Sequence, residues 1–164
     1  IEGFRQSILD LRRLVAHLKS DGARAVGAMG MSLGGYTTAL LSTLEPDLAF
    51  AVPFVPLASL ADFAAADGRY VGTAEERAAQ HTAVERAFAV VSPLARPSRV
   101  PKEGRLVVAA RADHITPLAH AEKLAQHQEA PLSIFDGGHL LQLGRKTAFR
   151  DVLRMLERLG LAHR

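Results

Sequence analysis

Residues 24–35 read Arg-Ala-Val-Gly-Ala-Met-Gly-Met-Ser-Leu-Gly-Gly. Arg24 to Met29 is a short run rich in Ala and Val, with the length and apolarity of a buried parallel strand. Gly30 to Gly35 is a Gly-x-Ser-x-Gly turn. A helix is expected from Leu33 to Leu44, ended by Glu45-Pro46, because the residue before a proline is pushed out of the α region. Ser32 therefore sits at the tip of a tight strand-to-helix turn, between Met31 and Leu33. Such a turn calls for very small residues at Gly30 and Gly34, since a Cβ there would meet neighbouring backbone. The helix that follows aims free N–H groups and its positive dipole end at Ser32, which favours an oxyanion.

Upstream of that unit, Phe4, Ile8, Leu11, Val15 and Leu18 recur at steps of three and four, predicting an amphipathic helix that stops at Asp21-Gly22. Downstream, Leu48 to Val55 is a second apolar run of strand length. Pro53 lacks a ladder donor, so this strand is expected to end there. Leu60 to Ala66 reads as a short helix. Thr73 and Glu76 form a capping box opening a helix from Ala74 to about Val90. Arg105 to Ala110 is the third strand. Thr116-Pro117 starts another helix, with Thr as cap and Pro in the first helical position. Leu132 to Phe135 is the fourth strand, closed by Asp136-Gly137-Gly138. Phe149, Val152, Leu153, Leu156 and Leu159 mark a last helix ending at Gly160. Strands alternating with helices predict an α/β fold with a parallel sheet.

The 164 residues suffice for one domain, and 48% hydrophobic with 23% charged residues is a globular composition. No apolar run reaches bilayer length. A net charge of +3 invites a nucleic-acid reading, but the cations are scattered among acids and only 5% of residues are aromatic, which argues against it. Absence of Cys excludes disulfides, thiolate metal sites and a Cys nucleophile. No His/Asp/Glu set shows metal-ligand spacing on one helix face, so neither metal nor cofactor is expected. Gly30 to Gly35 ends without the Lys of a phosphate loop.

A serine hydroxyl needs a base to become a nucleophile. Functional groups on parallel sheets gather beyond the carboxyl ends of strands. That rule selects Asp113, three residues past the third strand, and His139, which follows the fourth strand after two glycines that let the chain bend. His17, His81, His120, His127 and His163 fall on or beside predicted helices and read as solvated. His114 neighbours Asp113 and is a candidate for lining the cleft. Asp136 is an alternative acid, but it lies close before His139 and reads as a turn residue.

The segments Gly-Met-Ser-Leu-Gly-Gly (30–35), Arg-Ala-Asp-His-Ile-Thr-Pro (111–117) and Gly-Gly-His-Leu (137–140) resemble the α/β-hydrolase superfamily. Residues Leu11 to Pro56 further resemble a poorly characterised branch of hydrolase-domain proteins. The resemblance implies Ser32 as nucleophile, His139 as base, Asp113 as orienting acid and Leu33 N–H as one oxyanion donor. It covers the carboxy-terminal half of that fold. The strand bearing Ser32 would then lack a neighbour on one side, so a missing amino-terminal half or another chain is expected to cover that edge and supply the second donor.

The expected function is a serine hydrolase that acts on a small-molecule carboxylic ester or related acyl substrate through an acyl-enzyme. Residues 57–97 are expected to form a lid-like insertion in one partial domain. Phe54, Leu57, Leu60 and Phe63 would line an acyl pocket or simply belong to the core. Two alternatives stay open: a non-catalytic half-domain for assembly or ligand binding, and a peptidase or acyltransferase using the same three residues.

Overall fold

In a computed structural model of the chain, residues 1–162 are described. The elements run α1 (Glu2–Ser20), β1 (Val26–Met31), α2 (Leu33–Ser42), β2 (Leu48–Phe54), α3 (Leu60–Ala66), α4 (Ala74–Phe88), β3 (Val107–Ala110), α5 (Leu118–His127), β4 (Leu132–Phe135) and α6 (Lys146–Arg158). The strands form one parallel sheet in the order β1-β2-β3-β4. Each strand thus lies beside the next in sequence, as expected when a helix returns the chain after every strand.

Two helical layers sandwich this sheet. On one face α6 presents Ala148, Val152 and Met155 to Val52, Phe54, Val108, Ala110 and Phe135. The other face is covered by α1 and α2 towards β1 and β2, and by α2 and α5 towards β3. The helical spacing in α1 buries Ile8 and Val15 as expected. Leu14 and Leu18 stay exposed. They line, with Leu11, Met29 and Thr37, an open groove of about 400 Å³ between α1 and β1. β1 is the outermost strand and pairs only with β2 among the described residues.

Pro53 departs from expectation, because β2 runs through it and ends at Phe54. The hydrogen bonds explain why. Ala51 C=O accepts from Leu106 N–H, and Val55 N–H donates to Val108 C=O. Alternation along the strand therefore turns Pro53 towards β3. Its missing donor faces that side, where pairing is reduced to Phe54 with Val108 and a bridge from Ala51 to Arg105. The β1 side stays in register from Gly27 to Met31.

The helix-start signals fared differently. Thr73 and Glu76 form the capping box, with each side chain accepting from the other's backbone N–H. Thr116 does not cap α5, which begins at Leu118 after Pro117. Its hydroxyl is engaged elsewhere.

Candidate active site

Ser32 occupies the junction of β1 and α2 with φ 57° and ψ −118°. A non-glycine residue with positive φ persists only where its surroundings hold it there. Two backbone bonds do so: Ser32 N–H donates to Phe54 C=O at 2.9 Å, and Tyr36 N–H donates to Ser32 C=O at 3.0 Å. The side chain is left projecting beyond the sheet, with Oγ 2.9 Å from His139 Nε2.

The glycines around Ser32 divide the steric work differently from the sequence expectation. A Cβ on Gly30 would overlap the carbonyl of Gly34 and come 2.7 Å from Thr38 Oγ1. A Cβ on Gly34 would meet nothing within 4 Å. The required smallness after Ser32 falls instead on Gly35, where a Cβ would lie 2.9 Å from Phe54 O and 3.1 Å from Pro56 Cα. The physical reason is helical direction: Gly34 faces outward in the first turn of α2, while Gly35 faces the end of β2. Met31 and Leu33 flank the serine and are about half exposed. The N–H groups of Leu33 and Gly34 open α2 and have no i−4 carbonyl inside the helix.

His139 is buried in the loop that leaves β4. Neither Gly137 nor Gly138 has a positive φ, the backbone conformation that would itself call for glycine. They allow close packing instead. A Cβ on Gly137 would overlap Leu143 backbone, and one on Gly138 would lie 3.0 Å from Ala112 O. Ala112 N–H donates to Gly137 C=O at 3.1 Å, which ties this loop to the one after β3.

Asp113 lies in that neighbouring loop, with its side chain fully buried. Oδ1 accepts from the N–H groups of Ile115 and Thr116, both at 2.8 Å. Oδ2 is 2.7 Å from His139 Nδ1 and 3.0 Å from Thr116 Oγ1. Burial alone would push this carboxyl up. The hydrogen bonds from Thr116 N–H, His139, Ile115 N–H and the Thr116 hydroxyl outweigh it and hold the group below its ordinary value. The linked stability is complete above the ordinary value of 3.8 and is lost as pH falls through the lower folded value. The urea midpoint is therefore expected to be insensitive to this group above about pH 5 and to fall below about pH 4. In Asp113→Asn that part of the acid drop should be absent, which parallel urea titrations at each pH would check.

Sequence reasoning missed Thr116. Its Oγ1 lies 3.1 Å from Val55 O, 3.0 Å from Asp113 Oδ2 and 3.1 Å from His139 Nδ1. The available signal was an Asp followed three residues later by Thr, a spacing at which an Asp side chain folds back onto nearby backbone N–H groups.

The other candidates stand apart. His114 is exposed and, with Phe63 and Ile115, lines a cavity of about 250 Å³ against α3. Asp136 is exposed and pairs with Arg111 at 3.2 Å. Phe54 belongs to the core, in tilted ring contact with Phe135 at 5.7 Å and with Phe149 at 5.6 Å, and Leu57 is also buried. Leu60 lines a different cavity, with Tyr36 and Phe88. Leu60 and Phe63 thus line separate cavities, while Phe54 and Leu57 are buried.

Three of the helical histidines are not merely solvated. His120 is buried and accepts from Ala58 N–H, His127 Nε2 meets Arg96 O at 2.9 Å, and His81 Nε2 meets Asp62 Oδ1 at 2.8 Å. His163 lies outside the described residues. His81 and Glu85, one turn apart on α4, come together with Asp62, ligand atoms within 4.8 Å, as a group able to hold a metal ion. The expectation of no such spacing on a helix face overlooked this pair. Lys123 is bound at 2.7 Å to the second oxygen of Asp62 and already balances its charge.

Comparison with known proteins gives no match to any family model. The uncharacterized proteins Rv2627c and MT2702 of Mycobacterium tuberculosis are each 32% identical over 98% of this chain. The chain spans 40% of their length. Among solved structures, the Pyrococcus furiosus esterase Pf2001 superposes with TM-score 0.67 at 16% identity, covering 94% of this chain and 62% of its own. Puromycin hydrolase gives 0.64 at 18%, covering 94% and 25%. A putative hydrolase of the α/β superfamily from Xanthomonas campestris gives 0.59 at 20%, covering 94% and 69%. The sheet order, the flanking helices and these superpositions together establish that the chain carries part of the α/β-hydrolase fold.

Proposed function

We propose that this chain supplies the nucleophile, base and acid of a serine hydrolase acting on a carboxylic ester or related acyl substrate. The observation that carries the reading is the unbroken relay from Ser32 Oγ to His139 Nε2 at 2.9 Å and from His139 Nδ1 to Asp113 Oδ2 at 2.7 Å. In the proposed mechanism His139 takes the Ser32 proton as Oγ attacks the acyl carbon. Leu33 N–H, at the positive end of α2, donates to the oxyanion. His139 then protonates the leaving group, and later activates the water that frees the acid from Ser32. Asp113 holds the proton of neutral His139 on Nδ1 and stabilises the imidazolium.

An acyl substrate with apolar character suits the surroundings. Met31, Leu33, Leu140 and Leu141 are exposed on the segments carrying Ser32 and His139, and Gln142 Nε2 donates to Met31 Sδ at 2.9 Å, drawing these segments together. Residues 57–97, with α3 and α4, act in this reading as the lid. The free edge of β1 pairs with further strands from the rest of a longer protein or from a second chain, and that partner brings the second oxyanion donor. The part-length match to relatives and solved structures supports this arrangement.

A fluorophosphonate probe with a p-nitrophenyl ester assay on the intact protein tests the reading. Ser32→Ala is expected to abolish labelling and to lower turnover by at least about 10⁴-fold. Equal rates for the parent and Ser32→Ala would point to a binding module. Faster turnover of an aminoacyl amide than of the ester would assign the same residues to a peptidase.

A further inference from the structure

The hydroxyl of Thr116 sits where three chain segments meet. Its Oγ1 is 3.1 Å from Val55 O at the end of β2, 3.0 Å from Asp113 Oδ2 in the loop after β3, and 3.1 Å from His139 Nδ1 in the loop after β4. Thr116 and Val55 are both buried. Val55 has φ 40°, a strained value for a β-branched residue. A buried carbonyl in such a segment needs a donor. One hydroxyl carries one proton and two acceptor lone pairs. Asp113 Oδ2 already has the shorter contact, 2.7 Å, from His139 Nδ1. The Thr116 proton is shared between Val55 C=O and Asp113 Oδ2, and a lone pair of Oγ1 is turned towards the imidazole.

We infer that Thr116 is a positioning residue for His139, its hydroxyl anchored on Val55 C=O and sharing the Nδ1–H with Asp113. This rests on the serine-hydrolase reading for its consequence, though the contacts exist whatever the reaction. Two acceptors converge on Nδ1–H, so the ring is held with its proton on Nδ1 and Nε2 directed at Ser32. Ser32, Asp113 and Thr116 are the side chains hydrogen-bonded to this ring. The strain at Val55 is thereby tied to the base: β2 cannot relax at its end without moving Thr116.

The test uses ring-nitrogen NMR of His139 and pH–rate profiles on the intact protein, for Thr116→Val and Thr116→Ser. Val preserves shape and removes the hydroxyl. It is expected to lower kcat about tenfold with KM little changed, the size of one lost hydrogen bond. It should also lower the share of the Nδ1–H tautomer of His139 in the ring-nitrogen spectrum, because one of the two acceptors on Nδ1–H is gone. Ser keeps the hydroxyl and should restore both towards the parent. A tautomer balance left unchanged in Thr116→Val overturns the inference, as do Val and Ser variants that are equally impaired. The NMR arm needs no turnover, so a failed Ser32→Ala test would overturn the hydrolase reading while leaving Thr116 decidable.

Discussion

Asp113→Asn is expected to lower kcat by about 10⁴-fold with little change in KM. The substitution keeps the shape of the side chain. An amide oxygen in the place of Oδ1 can still accept from Ile115 and Thr116 N–H, so the loop should hold. At the place of Oδ2 the amide presents N–H to His139 Nδ1. That nitrogen must then accept, and the ring proton moves to Nε2. An Nε2 that already carries its proton cannot take one from Ser32. Steady-state kinetics with near-parent circular dichroism would register this outcome. A loss smaller than about tenfold would mean that Asp113 neither sets the tautomer nor stabilises the imidazolium.

Gly30→Ala is expected to destabilise the fold by about 3 kcal/mol or more, whereas Gly34→Ala should be neutral or slightly stabilising. The new methyl at residue 30 has no space: it meets Gly34 backbone and the Thr38 hydroxyl, and neither can withdraw without unwinding the first turn of α2. The new methyl at residue 34 enters open space on a helix, where alanine is preferred to glycine by up to about 1 kcal/mol. Denaturant midpoints for the two variants separate the cases. Equal destabilisation would contradict the division of steric roles between the two glycines.

What could be read from the chain is what depends on local pattern. The apolar runs around residues 26–31, 48–54, 107–110 and 132–135 are short because a buried strand crosses a small sheet, and that length is visible in sequence. Capping at Thr73 and Glu76 uses a fixed three-residue spacing, so it too was legible. The meeting of Ser32, Asp113 and His139 followed from a rule about strand ends, which needs no contact information. Errors arose where the answer depended on which way a group faces. Pro53 was tolerated because its missing donor points to the sparsely paired side. Gly34 and Gly35 exchanged roles because helical direction, not spacing from the serine, decides which meets β2. Thr116 reads locally as a helix cap, and its actual partners lie 61 and 23 residues away, at Val55 and His139. His81 and Glu85 do share a helix face, but Asp62 reaches them from another helix.

Ser32 follows the outermost described strand, while His139 and Asp113 come from loops beyond the other rim strand and an interior one. Ser32 is therefore the member whose placement is most exposed to disturbance from outside the sheet. A protein segment pairing along that border would satisfy the open backbone groups of the strand just ahead of Ser32. In the proposed hydrolase, turnover would then report on occupancy of that border, through the oxyanion donor its occupant brings as well as through the strand itself.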